Sequence, residues 1–161
     1  VDAASVSLRR ALQELRDAGV SLDTTLAPTD ADLADSGKAA APKTRGAELF
    51  ARGDFAGAAE KYRAALGWDP TDPRIWANRA ACFSRLRRFD EALRDAEYAI
   101  RLKPRFPRAH YRRAEARLGQ GRAGDALEAC DAGLLLDCDE KLRRDLSALM
   151  ERCQCVDVGE D

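Results

Sequence analysis

Small and apolar residues recur along this chain in a frame of 34 positions. Ala58, Ala92 and Ala126 fall one period apart, as do Ala65, Ala99 and Gly133, the glycines Gly53 and Gly121 across two periods, and the prolines Pro70 and Pro104. Inside each period the apolar positions return every three or four residues, the spacing of a helix with one buried face. The pattern rises twice per period, so each unit reads as two helices joined by a tight turn. A hairpin of this length buries its apolar face only by stacking on a neighbouring copy. The fold expected is therefore all-α: a solenoid of three helix-turn-helix repeats with a closing helix.

Taken in order, Val6, Leu8, Leu12 and Leu15 predict a short amphipathic helix from Ser5 to about Ala18, with Gly19 as its C-cap. A helix of that length is marginal alone. It must pack on the repeats, on a second copy of itself or on further sequence, and self-association through it is one expectation. We divide the chain into this arm (1–20), a linker (21–38), a repeat domain (39–153) and a tail (154–161). The mixed Thr, Asp, Ala, Ser and Pro stretch continues to Ala41 without a firm period. Within the domain the repeats cover about 39–72, 73–106 and 107–140, and Leu142, Leu146, Leu149 and Met150 mark a closing helix over about 141–153. Pro73 and Pro107 suit the first turn of a helix, where a missing N–H costs nothing. Cys130, Gly133 and Cys138 make the third unit irregular, as terminal repeats often are.

Two helices approach to about 8 Å only where the crossing side chains are small. Gly46 with Ala58, Ala80 with Ala92, and Ala114 with Ala126 occupy equivalent places, one on each helix of a hairpin, and are the expected crossings.

Composition narrows the function. The 161 residues carry 27 basic and 28 acidic side chains, a formal net charge of −1, so no global field favours nucleic acid or a membrane. Arginines cluster from Arg101 to Arg122 without Gly-Arg repeats or stacking aromatics, which weighs against RNA. No apolar run reaches the roughly 20 residues needed to span a bilayer, and no signal pattern opens the chain. The start at Val1 leads us to expect a piece of a longer protein.

Five cysteines, at 82, 130, 138, 153 and 155, form no Cys-x-x-Cys pair and read as reduced thiols in a cytoplasmic setting. Cys153 and Cys155 alone are a weak metal signal, and no metal or cofactor is expected. His110 is the single histidine and falls at the repeat position of Trp76, which points to packing. No catalytic constellation is present, so the chain reads as a binding protein and not an enzyme.

The frame resembles the tetratricopeptide repeat family over about Ala39 to Glu140 plus the closing helix. Repeat two matches at Trp76, Ala80, Phe83, Ala92, Ala99 and Pro104, with Ala96 in place of an aromatic and Arg87 in place of the turn glycine. The phrases Trp-Ala-Asn-Arg-Ala-Ala-Cys-Phe and Arg-Ala-His-Tyr-Arg-Arg-Ala look like the three-repeat co-chaperone modules that hold the acidic Glu-Glu-Val-Asp C-terminus of Hsp70 or Hsp90 in a carboxylate clamp. What the resemblance implies, position by position, is that Lys43 matches the first-repeat lysine, Asn78 the second-repeat asparagine, and Arg108 and Arg112 the basic pair of the third. The first-repeat asparagine falls at Ala47 and is missing.

A physical reading points the same way. The first helix of each hairpin lines the concave face of a solenoid, which brings Lys43, Ala47 and Phe50 together with Arg74, Asn78, Ser84 and Arg85, and with Arg108, Tyr111, Arg112 and Glu115. Five basic residues against one acidic make that face positive. A free C-terminal carboxylate offers two oxygens to such donors in charge-assisted hydrogen bonds. Phe50, Arg74, Arg85 and Tyr111 are secondary groove residues in this reading. Two alternatives stay open: a scaffold that takes a partner helix or subunit without carboxylate recognition, and a targeting domain for an enzyme outside this stretch.

Overall fold

In a computed structural model of the chain, residues 36–157 are described. Among them seven helices form and no strand: α1 Ser36–Ala51, α2 Phe55–Trp68, α3 Pro73–Arg85, α4 Phe89–Leu102, α5 Pro107–Gly119, α6 Ala123–Leu134 and α7 Glu140–Asp157. The expected amphipathic helix at 5–18 lies outside the described residues. Three hairpins, α1 with α2, α3 with α4 and α5 with α6, stack in chain order, and α7 closes the last one. The first helix α5 packs on both α3 and α7, which puts the first helices on the inside of the curve.

The hairpin turns repeat the 34-residue frame bond for bond. Gly53 N–H donates to Phe50 O and Asp54 N–H to Leu49 O, both at 3.0 Å; Arg87 donates to Ser84 O and Arg88 to Phe83 O; Gly121 donates to Leu118 O and Arg122 to Arg117 O. This is the Schellman arrangement, which needs a left-handed residue just past the helix end. Gly53, Arg87 and Gly121 supply it with φ of 84°, 60° and 77°. The repeats also share a strut between loop and helix. Trp76 Nε1 donates to the Pro70 carbonyl at 2.8 Å, and one period later His110 Nε2 lies 2.9 Å from the Pro104 carbonyl. The packing role expected for His110 is what the structure shows, and the bond places its proton on Nε2.

Small residues make the crossings. Ala58, Ala80, Ala92, Ala114 and Ala126 are all fully buried. A Cβ on Gly46 would stand 3.0 Å from the Tyr62 ring, so the ring fills the space that glycine leaves. The apolar interior is divided among small clusters, the largest around Tyr62, Leu66, Ile75 and Cys82, another around Ala114, Cys130, Leu146 and Leu149. Cys82, Cys130 and Cys153 are buried, and no described cysteine is in a disulfide.

Two boundaries differ from expectation. Residues 36–41, assigned by composition to the irregular stretch, form the first turns of α1, because Ala39, Ala40 and Ala41 are strong helix formers and Ala39 is buried. Pro42 is carried inside that helix. At the other end α7 continues to Asp157.

Candidate functional site

The expected groove residues fall into three groups along the first helices. At the N-terminal end of α3, Asp72 caps the helix by accepting from Arg74 N–H at 2.9 Å. Its carboxylate also takes Arg74 Nε at 3.0 Å, Arg74 Nη2 at 3.1 Å and Lys43 Nζ of α1 at 3.3 Å. Burial pushes the Asp72 carboxyl up, but the Arg74 bonds and charge and the Lys43 bond together hold it below the usual carboxylate value. Lys43 and Arg74 therefore converge on one anion and leave the trio with a net positive charge. Lys43 keeps 35% of its side chain exposed and Arg74 69%.

The second group lies at mid-groove. Asn78, half-buried, lies beside the Tyr62 hydroxyl. Burial, followed by the neighbouring Cys82, pushes that hydroxyl up to about 12, so it stays protonated. Cys82 donates to the Asn78 carbonyl at 3.4 Å. Burial lifts the Cys82 thiol to about 11, with the Arg112 charge pulling against it, which brings Arg112 of α5 into the same neighbourhood as Asn78. Arg112 itself donates to Glu115 at 2.8 Å and stands 5.0 Å from the centre of the Tyr111 ring. Its Nε is buried and has no hydrogen-bond partner among the described residues. Arg108, one turn earlier, is exposed and makes no ion pair among those residues. Ala47 of α1 is exposed and offers no donor.

The third group sits at the turn end of the first hairpin. Phe50 packs edge-on against Phe55 with centroids 5.1 Å apart, and the Arg85 guanidinium lies 4.6 Å from the Phe55 ring centre. Arg85 is thus drawn to an aromatic pair and away from the Asp72 end. Ser84, expected on the groove face, is buried at 8%, since neighbouring residues on a helix point about 100° apart and Arg85 takes the outward direction.

Several contributors were not anticipated. Asp72 is one, although an Asp before a Pro at a helix start signals an N-cap. Arg79 is another: it grips buried Asp95 of α4 at 2.7 and 2.8 Å and lies 4.9 Å from the Trp76 ring centre, tying the second hairpin together. Burial pushes the Tyr111 hydroxyl up, and after Glu115 and Arg112 the charges of Asp145 and Arg152 act on it, so α7 also borders the groove. Among the described residues no group of three or more His, Cys, Asp and Glu is placed to hold a metal ion, and no helix is long and apolar enough to cross a membrane.

Stacked helical hairpins with polar donors gathered on the inner helices define a repeat scaffold that presents a concave binding face. The comparisons with known proteins give its family: the tetratricopeptide repeat profile matches residues 49–94 and again 83–141, and the chain belongs to that family. It is 35% identical over 126 residues to small glutamine-rich tetratricopeptide repeat-containing protein 2 of Mycosarcoma maydis, an alignment spanning 78% of this chain and 35% of that protein. Among solved structures, the TPR2B domain of yeast Sti1 in complex with an Hsp70 peptide is 30% identical with a TM-score of 0.69, covering 73% of this chain and 97% of that one. The first such domain of Spaghetti (RPAP3) bound to the HSP90 peptide SRMEEVD is 26% identical with a TM-score of 0.67, covering 76% and 98%. The chain spans about a third of the length of the first curated relatives it matches.

Proposed function

We propose that this domain is a protein-interaction adaptor whose inner face takes the acidic C-terminal tail of an Hsp70- or Hsp90-type chaperone, in a cytoplasmic setting. The observation that supports the reading is the buried Arg112 Nε–H on α5, which has no partner among the described residues; Lys43, Asn78 and Arg108 hold the other donor positions that the resemblance implies. The likeness to two domains solved with such peptides supports it. So do the cysteines, which form no disulfide among the described residues and suit a reducing compartment.

In this reading the terminal carboxylate meets Lys43 and Asn78, while Arg108 and Arg112 take the acidic side chains before it. Lys43 has donors left over after its bond to Asp72, because an ammonium carries three. Phe50, Arg74, Arg85 and Tyr111 form the walls. Ala47 supplies no bond, so the tail binds with one donor fewer than the clamp pattern provides.

Calorimetry with a peptide ending in Glu-Glu-Val-Asp tests the reading. Micromolar affinity is expected, falling at least tenfold when the terminal carboxylate is amidated or Arg112 is replaced by Ala, since each charge-assisted bond is worth about 1.5–3 kcal/mol. Equal affinity for the free and amidated peptides would sink the proposal in favour of a scaffold without carboxylate recognition.

A further inference from the structure

The start of α3 holds two cations on one buried carboxylate. Lys43 Nζ lies 3.3 Å and Arg74 Nη2 3.1 Å from the same oxygen, Asp72 Oδ2, while Arg74 Nε takes the other oxygen at 3.0 Å. Two nitrogens bonded to one oxygen stand within about 6 Å of each other, so a second carboxylate laid over them can accept from both. Donors remain for it. A guanidinium has five N–H groups and an ammonium three, of which Asp72 uses two from Arg74 and one from Lys43. Asp72 is buried, Lys43 half-buried and Arg74 exposed, so the open side of the trio is cationic.

The trio lies in register with the donor positions of the groove. Asn78 follows Arg74 by one turn on α3 and so shares its face of the helix. Ala47 follows Lys43 by one turn on α1 in the same way, but carries no donor. The Lys43 bond to Asp72 ties α1 to the start of α3 across 29 positions. Two parallel bonds to Asp72 hold the Arg74 fork in place, so little rotamer freedom is lost when an anion arrives. There is also space beside it. Arg74 borders an open hollow of about 380 Å³ with Asp69, Asp72, Lys103 and Phe106. Asp69 is turned to Thr71, whose N–H and hydroxyl donate to it at 3.1 and 2.8 Å.

We propose that Arg74, held by Asp72, is a direct ligand of the guest's terminal carboxylate, sharing it with Lys43 and offsetting the donor missing at Ala47. This rests on the groove reading above and adds a contact from outside the clamp positions. A residue of the groove wall lends only its charge, which every acidic peptide feels. A residue of the carboxylate seat tells a free terminus from a blocked one.

Calorimetry with the peptide SRMEEVD, free and amidated at its terminus, decides it on the full chain and its Arg74→Ala variant. The backbone N–H that Asp72 takes to cap the helix is still present with alanine at 74, so α3 keeps its start. The variant should bind the free peptide about tenfold more weakly than the wild type and the amidated peptide equally well. Unchanged affinity for the amidated peptide also shows that the variant is folded. A loss shared by both peptides makes Arg74 a wall charge and overturns the seat, and no loss for either overturns it too. Either result leaves the groove reading intact as long as the wild type prefers the free peptide. A wild type that binds the two peptides alike sinks the groove reading and the seat with it.

Discussion

Replacing Arg87 by Gly should stabilise the domain. Arg87 holds φ of 60° at the turn position where the other two hairpins have Gly53 and Gly121. A residue with a Cβ in that left-handed conformation costs roughly 1–2 kcal/mol. Glycine removes the cost and returns about 0.5–1 kcal/mol through the larger freedom of its unfolded chain. The Arg87 side chain is exposed and makes no hydrogen bond or ion pair among the described residues, so nothing else is lost. The net gain is about 0.5–1 kcal/mol, or roughly 2–4 °C in Tm for a domain of this size. Urea unfolding followed by circular dichroism should show a higher midpoint with an unchanged m-value. The mirror experiment changes Gly53 or Gly121 to Ala: the added Cβ would meet nothing within 4 Å at either site, so the expected loss of about 1 kcal/mol comes from the backbone alone. A midpoint for Arg87→Gly at or below wild type, with both alanine variants neutral, would refute the reasoning.

Three further outcomes are expected. Ala92→Leu should overpack the crossing with Ala80 and lower stability by about 1–3 kcal/mol in the same assay, since both residues are fully buried. Ala47→Asn should restore the missing donor and tighten binding of a Glu-Glu-Val-Asp peptide about tenfold with little change in Tm, because Ala47 is exposed. Burial pushes the His110 pKa below its ordinary 6.5, with Nδ1 buried and unpartnered. The unfolded chain therefore binds the proton first as pH falls through about 6.5, and stability drops as pH falls below that value. His110→Gln, which keeps an N–H donor, should flatten urea midpoints in that range.

The periodic small residues carried most of the fold into view before any coordinates. Ala58, Ala92 and Ala126 report helix crossings because backbone approach admits nothing larger, and that constraint is local and repeats. The Trp76 and His110 struts follow from the same frame, since Pro70 and Pro104 stand six residues before each. The electrostatic partners were harder to see. Lys43 meets Asp72 across 29 positions, a pairing set by how α1 lies beside the α3 terminus and not by spacing along either helix. Ser84 was misplaced because a list of first-helix positions does not resolve which of two neighbours points outward. Residues 36–41 lacked an apolar period, yet alanines with one buried contact suffice for a helix that is already nucleated further along.

The interior alanines have a consequence for how such a domain can be altered. On α3 the residues that clamp helix to helix, Ala77, Ala80 and Ala81, are buried, while Arg74 is exposed and Asn78 half-buried. In the proposed function, adhesion of the stack and recognition of a guest fall to separate side chains on the same helix. An outward residue can then be exchanged, as Ala47→Asn would be, without renegotiating the fit of one helix on the next.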